Sequence, residues 1–287
     1  MKKLAVMSDL HIDLNHIQEE EQDLLIQILK EEKIDHLHLA GDISNNFIGL
    51  SLPFIKAIEK DIPLTFNLGN HDMLGLSEKT IQELDFQETL LSKETLLLSF
   101  HGWYDYSFFP EKSFAQNRAF KQQFWFDRRL RRLEEDPSLT ASICQKLDQK
   151  LSESIFQRII VSMHFVPHRD FLLTHPKFKP FNAFLGSHKF HDIFEQYPVT
   201  DVVFGHNHRR MQARQIDTIY YHSKPLGYQK EWQLTADFIK SQKDLIDSSR
   251  RNPNQLYTAI KNRESFQNYK KDLLSQEFRL AMTIIDY

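Results

Sequence analysis

Apolar and polar positions alternate between two patterns along the first part of the chain. Short apolar runs at residues 3–7, 35–39 and 62–68 have the length and composition of buried strands. Between them, residues 17–33 and 52–60 carry apolar side chains at helical spacing, which predicts two amphipathic helices. Strand, helix, strand, helix, strand is the order of a parallel sheet with crossover helices, so we expect an α/β fold.

The strand pattern returns further along, interrupted by segments of other composition. The later predicted strands are residues 96–100, 158–163 and 200–204, a strand pair within 211–222 that turns at Asp217, and a last strand at 278–285. Aromatic and then charged helical sequence fills residues 104–158, which predicts a helical insertion and a candidate lid. Residues 229–287 are predicted to form a C-terminal helical extension, so we expect a single domain over residues 1–287 with these two additions.

Polar groups follow the apolar run of five predicted strands. Because the carboxyl ends of parallel strands meet at one edge of a sheet, where α/β proteins bind ligands, we expect these side chains to lie together. They are Asp9 and His11 after the first strand, Asp42 after the second, Gly69-Asn70-His71-Asp72 after the third, His164 after the strand at 158–163, and His206 and His208 after the strand at 200–204.

The chemistry of these groups predicts a metal site. They are carboxylates, imidazoles and an amide, without a thiolate, and this donor set suits manganese, iron or zinc. Asp42 stands alone after its glycine and is the natural bridge between two ions. Two metals held together are a known device for in-line displacement at phosphorus. His71 need not be a ligand, because the carboxylate of Asp72 beside it could hold an imidazolium ready to protonate a leaving oxygen.

As a set, these motifs resemble the calcineurin-like metallophosphoesterase superfamily, from the start of the chain to about His208. The resemblance implies a central two-sheet β-sandwich flanked by helices, with two divalent ions, of manganese, iron or zinc, at the strand ends. The implied reaction is attack of a metal-bridging hydroxide on the phosphorus of a phosphodiester or phosphomonoester. Carried over position by position, Asp9, His11, Asp42 and His208 would hold the first ion, and Asp42, Asn70, His164 and His206 the second, with His71 as the acid and Asp72 as its orienting partner.

The composition bears on the binding partners and on the cellular compartment of the protein. With 41% hydrophobic residues, 26% charged residues and a formal net charge of -3, nothing demands a polyanionic partner or a membrane surface. The single cysteine, Cys144, excludes an internal disulfide and fits a reducing compartment. The apolar start is broken at Ser8 and Asp9, too early for a signal peptide, so we predict a cytoplasmic protein.

Three functions remain open at this stage. The first is hydrolysis of a small phosphoester or a nucleotide, by monoesterase or diesterase action. The second is a nuclease that uses the same dinuclear site, which the near-neutral charge disfavours. The third is a non-catalytic metal-binding scaffold, against which the complete ligand series argues. The sequence is silent on the oligomeric state.

The other histidines receive structural assignments. His36 and His38 alternate along one strand and are predicted to hydrogen-bond within the sheet. His101 follows a strand and is expected to be structural rather than a ligand. The remaining six have no ligand-like spacing and are predicted to lie on the surface, although His168 is near enough to His164 in sequence to reach the pocket; they are His16, His168, His175, His188, His191 and His222.

Overall fold

The computed structural model describes residues 1–242 and 252–287, in which the strands form two mixed sheets. In chain order the strands are β1 (Lys3–Met7), β2 (His36–Ala40), β3 (Leu64–Asn67), β4 (Gln87–Leu90), β5 (Thr95–Phe100), β6 (Arg158–Met163), β7 (Val199–Val203), β8 (Arg214–Ile216), β9 (Ile219–His222) and β10 (Thr283–Asp286). The α-helices are α1 (Glu19–Glu31), α2 (Leu52–Ile58), α3 (Glu78–Leu84), α4 (Phe114–Phe124), α5 (Asp136–Ser152), α6 (Lys189–Phe194), α7 (Gln233–Ser241), α8 (Pro253–Ile260) and α9 (Glu264–Leu280).

The first sheet contains the three strands predicted at the start of the chain. Its order is β10-β1-β2-β3, with β1, β2 and β3 parallel and β10 antiparallel to β1. The crossover helix α1 begins where the side chain of Glu21 accepts a hydrogen bond from Gln18 N (2.9 Å). Acidic residues in its first turn and Lys30 in its last turn match the helix dipole. These local signals fix where α1 begins and ends, and the strand–helix–strand order predicted from the sequence is found here.

The second sheet packs face to face on the first. Its order is β4-β5-β6-β7-β9-β8; β5, β6, β7 and β9 run parallel, and β4 and β8 close the edges antiparallel. One buried hydrogen bond, from Ser162 Oγ to Asn67 Oδ1 (2.9 Å), joins the two layers. The predicted two-sheet sandwich flanked by helices is confirmed. An apolar cluster between the sheets combines Leu4, Val6 and Ile285 of the first sheet with Leu97, Ile160 and Val203 of the second.

The helical sequence after residue 104 and the C-terminal tail lie against this sandwich. Residues 104–158 contain α4, a 3-10 turn at Phe126–Arg129 and α5. The prediction that the last strand begins at residue 278 is wrong, because α9 continues to Leu280 and β10 begins at Thr283. The helix extends this far because Leu274 and Phe278 continue its buried face. The part of the predicted helical tail at residues 243–251 lies outside the described residues.

Two elements carry little sequence signal and were not predicted. Strand β4 is mostly exposed and polar, so its sequence lacks the alternation that marks a half-buried strand. Helix α3 is short, although Ser77 caps it by accepting a hydrogen bond from Thr80 N (3.1 Å). Among the helices in the described ranges, none has both the length and the apolar character that a membrane span requires.

Candidate metal centre

The predicted ligands come together at the carboxyl ends of β1, β2, β3, β6 and β7. One ligand atom from each member of a first group lies within 4.8 Å of the others; this group is Asp9, His11, Asp42 and His208. A second group with the same spacing is Asp42, His164 and His206. Asp42 belongs to both groups, which is the position expected of a carboxylate that bridges two ions.

Short distances between imidazole nitrogens mark each group. His11 Nε2 lies 3.2 Å from His208 Nε2, and His206 Nδ1 lies 3.2 Å from His164 Nε2. The amide oxygen of Asn70 is 3.1 Å from the same nitrogens of His164 and His206. Ligands bound to one ion at roughly 2.0–2.1 Å are separated by about 3 Å, so these spacings fit shared coordination.

The outer nitrogens of three rings are held by oxygen acceptors. His164 Nδ1 donates to Ala40 O (3.1 Å), and His206 Nε2 donates to Phe184 O (3.1 Å). His208 Nδ1 lies 2.8 Å from Glu231 Oε2. A proton on the outer nitrogen leaves the inner nitrogen with a free lone pair, which is the arrangement found around metal-binding histidines. The residues present therefore fit a pair of divalent ions.

The backbone is shaped to bring these side chains together. Positive φ angles occur at Asp9 (56°), His11 (41°), Asp42 (55°), His206 (67°) and His208 (49°). Such angles are uncommon outside glycine and are retained where the surrounding structure enforces them, often at functional sites. Two glycines allow the loops to approach closely. A Cβ added at Gly69 would lie 2.2 Å from a carboxylate oxygen of Asp42, and one added at Gly205 would lie 2.2 Å from a carboxylate oxygen of Asp9.

The buried carboxylates favour positive charge at this centre. Burial raises the pKa of Asp9, but His208 lowers it, to about 2 overall. Burial lowers the pKa of His208, whereas Asp9 and Glu231 raise it, to about 10. For His164, burial also lowers the pKa, but Asp42 raises it, to about 9. A site that stabilises protonated imidazoles in this way also attracts divalent cations.

His71 lies beside the bridging carboxylate, with its Nε2 3.9 Å from Asp42 Oδ2. Its other nitrogen, Nδ1, donates to the side-chain oxygen of Asn45 (2.9 Å). The structure thus differs from the expectation that Asp72 orients this ring. The carboxylate of Asp72 instead anchors the loops, accepting backbone hydrogen bonds from Ile43 N, Ser44 N and Gly69 N (3.0, 3.1 and 2.9 Å).

A cavity of about 400 Å³ opens over the two ligand groups. Part of its wall comes from residues 104–158, where the Phe126 ring stacks on His71 at a centroid distance of 3.7 Å. Tyr228 stacks on His11 at 4.6 Å. The remaining apolar lining is Phe124, Trp125, Leu173, Phe178, Phe181 and Leu185.

The segment after α4 also contacts a predicted ligand directly. Asn70 Nδ2 donates to Asp127 Oδ1 (2.8 Å), and Trp125 Nε1 donates to the other oxygen of this carboxylate (2.8 Å). Asp127 is buried, and it keeps the amide oxygen of Asn70 directed at the two imidazoles. The sequence carried no signal for this role, since Asp127 precedes a run of arginines and fits a solvated turn.

Several histidines lie outside the two ligand groups. His36 and His38 both bond Thr65 Oγ1 (2.8 Å), within the sheet as predicted. His101 lies beside Asp85 (Nδ1 to Oδ2, 2.9 Å) and belongs to neither ligand group. The prediction of a surface position is wrong for His168 and His191, which are buried.

Comparison with known proteins places the chain in a family. The model of the calcineurin-like phosphoesterase family matches residues 2–210, a range that includes every predicted ligand. The chain belongs to this family, and the fold and site are those of a metal-dependent phosphoesterase, a hydrolase. No curated protein matches the chain.

The chain is similar to solved structures at low sequence identity. The phosphopantetheinyl hydrolase PptH from Mycobacterium tuberculosis aligns over 81% of this chain and 92% of its own, with 17% identity and a TM-score of 0.63. A dimetal phosphatase from Danio rerio aligns over 77% of this chain and 86% of its own, with 14% identity and a TM-score of 0.49.

Proposed function

We propose that the protein hydrolyses a small phosphoester with two divalent ions, held by Asp9, His11, Asp42 and His208 on one side and by Asp42, Asn70, His164 and His206 on the other. The observation that carries this proposal is the pair of ligand groups with Asp42 in common. When bound, such ions polarise phosphoryl oxygens and activate a water molecule at neutral pH. Manganese, iron and zinc all suit the donor set.

The chain's own residues would move one proton and hold the His71 ring and two metal ligands in position. In its imidazolium form, which the Asp42 carboxylate favours although burial lowers the pKa of the ring, His71 would donate the proton of Nε2 to the leaving oxygen. Asn45 would hold the ring by accepting a hydrogen bond from Nδ1. Asn45 thus has the orienting role that the sequence predicted for Asp72. Asp127 and Glu231 would keep Asn70 and His208 directed inward.

The lining of the cavity favours a small substrate with an apolar or aromatic leaving group. Phe124, Phe126 and Phe178 stand around the opening, where a ring or a nucleobase could stack. Among the described residues that line the cavity there is no lysine or arginine, and Glu231 adds negative charge. This lining speaks against a nuclease, which needs a basic surface along its substrate.

The scaffold alternative is also disfavoured by the site. A scaffold has no need of seven metal-capable side chains at one sheet edge, five of them on residues with a positive φ and three of them rings held by outer acceptors. The cytoplasmic location that the sequence predicts remains part of the proposal, supported by the single cysteine. Fractionation of cells that express the protein would test that location.

The decisive experiment measures hydrolysis of p-nitrophenyl phosphate and bis-p-nitrophenyl phosphate after chelator stripping and manganese add-back. Asp42→Asn and His206→Ala should abolish metal-restored turnover, because each removes a ligand. His71→Ala should lower turnover while the metal content stays at the wild-type level. His16→Asn is the matched control, since His16 is exposed and asparagine tolerates its positive φ of 53°. Wild-type turnover in all three site variants would reject the proposal. So would a wild-type chain that takes up no manganese and hydrolyses neither ester, which would favour a non-catalytic protein.

A further inference from the structure

Three histidines outside the metal centre come together beside the second sheet. His168 follows β6, His188 directly precedes α6, and His191 lies within that helix. One ring nitrogen from each lies within 4.8 Å of the other two. The ring centroids are 4.4 Å apart for His168 and His188, 4.6 Å for His168 and His191, and 5.1 Å for His188 and His191. We refer to these three residues as the histidine cluster; none of them belongs to the metal centre.

Packing three imidazoles together leaves hydrogen-bonding capacity unused. Nδ1 of His188 is buried and has no hydrogen-bond partner in the described structure. A buried polar atom without a partner is unfavourable, and it calls for a ligand or an ion. His191 is already oriented from outside, because its Nδ1 lies 2.6 Å from the hydroxyl of Tyr221. Such an outer partner is the usual companion of a metal-binding histidine.

Two carboxylates lie beside one member of the cluster, His191. His191 Nε2 lies 3.4 Å from Asp217 and 3.5 Å from Glu195, and these three residues form a further group whose ligand atoms lie within 4.8 Å of one another. Both carboxylates are exposed, so an ion has a path from solvent. Three imidazoles, with the fourth position left to water, form a donor set that suits zinc.

The His168 ring is in the form that binds metal. Burial lowers the pKa of His168, and the neighbouring His188 and His191 lower it further, to about 4. This ring is therefore neutral at pH 7 and offers a lone pair.

We propose that the histidine cluster binds one divalent cation of the zinc type, at a structural site separate from the catalytic ions. The cluster joins the connection between β6 and β7 to the hairpin of β8 and β9, where Asp217 and Tyr221 lie. The same connection supplies Leu173, Phe178 and Phe181 to the cavity wall. A bound ion would tie the start of this connection, at His168, to its end at α6, which Tyr221 of β9 already contacts through His191.

The test uses a full-length chain that carries Asp42→Asn and His206→Ala, so that zinc at the metal centre does not mask the cluster. After chelator stripping, the chain is equilibrated with zinc and its metal content is measured by atomic emission. We expect one equivalent of bound zinc, lost on adding His188→Ala and kept on adding His175→Ala. His175 is the matched control because it is an exposed histidine of the same connection. Circular dichroism checks that each variant is folded.

The outcomes separate this proposal from the proposed hydrolysis. Zinc content that is unchanged by His188→Ala, or absent from the parent variant, would overturn the cluster site and leave the catalytic proposal untouched. Should the parent variant fail to fold, the comparison moves to the otherwise unmodified chain. There, His188→Ala should lower total zinc by one equivalent and retain manganese-dependent turnover, and an equal zinc content would overturn the proposal.

Discussion

Replacing Asp127 with alanine should weaken metal binding without a direct change to any ligand. The Asn70 amide donates from Nδ2 to this carboxylate at 2.8 Å, while its oxygen lies 3.1 Å from both His164 Nε2 and His206 Nδ1. Without the acceptor the amide loses its fixed orientation and can present its NH₂ group to the ion. Losing a buried hydrogen-bond partner costs about 1–3 kcal/mol. Partners of metal ligands typically change affinity by about 10–100-fold, or about 1.4–2.7 kcal/mol, which agrees.

Manganese titration of the stripped protein, followed by calorimetry and by restored turnover, measures this effect. We expect Asp127→Ala to bind the ion held by Asn70, His164 and His206 about 10–100-fold less tightly and to recover much of its turnover at high manganese. Glu111→Ala removes an exposed carboxylate from the same segment and should behave as wild type. A folded Asp127→Ala protein whose manganese affinity stays within about twofold of wild type would refute the argument that this contact orients the ligand.

Three further changes test other parts of the structure. Gly205→Ala should abolish metal binding in a folded protein, because its Cβ would lie 2.2 Å from a carboxylate oxygen of Asp9; wild-type metal content would contradict this. Glu231→Ala should weaken metal affinity about 10–100-fold, because it removes the hydrogen-bond acceptor of His208 Nδ1. Glu231→Gln should recover part of this loss, and equal metal affinities of the two variants would contradict the role of Glu231. Burial holds the pKa of His38 at about 3, below its ordinary 6.5, so the neutral ring stabilises the fold fully above pH 6.5 and progressively less as the pH falls toward 3. Between pH 7.5 and 5.0, urea unfolding of the metal-free protein should therefore lose about 2 kcal/mol more stability in wild type than in His38→Gln, and identical losses would contradict the assignment.

The predicted ligands could be recognised because their signals are local. Each follows an apolar run by a few residues, as Asp9 follows β1 and His206 follows β7. An apolar run, a turn and a donor can all be read in one short window of sequence. The parallel order of the strands then determines that the donors meet at one edge.

The supporting residues could not be recognised, because tertiary packing alone brings them to the site. Asp127 lies 57 residues after Asn70, and Glu231 lies 23 residues after His208, in segments whose charges fit a solvated surface. Asn45 lies near the ligands in sequence, but the adjacent Asp72 was the more obvious partner for His71. His168 and His191 share no local spacing, so only the folded connection reveals that they meet.

The strand that leads to Asp9 and His11 has a consequence for how the chain folds. Its outer edge is covered by β10, in a register that pairs Ala5 with Ile284. Contacts between segments so distant along the chain form late, because a large loop must close before they are gained. Until β10 docks, β1 presents an open edge that other chains can pair with. We therefore expect aggregation during refolding to depend on the C-terminal strand, and completion of the first sheet to be among the slow steps.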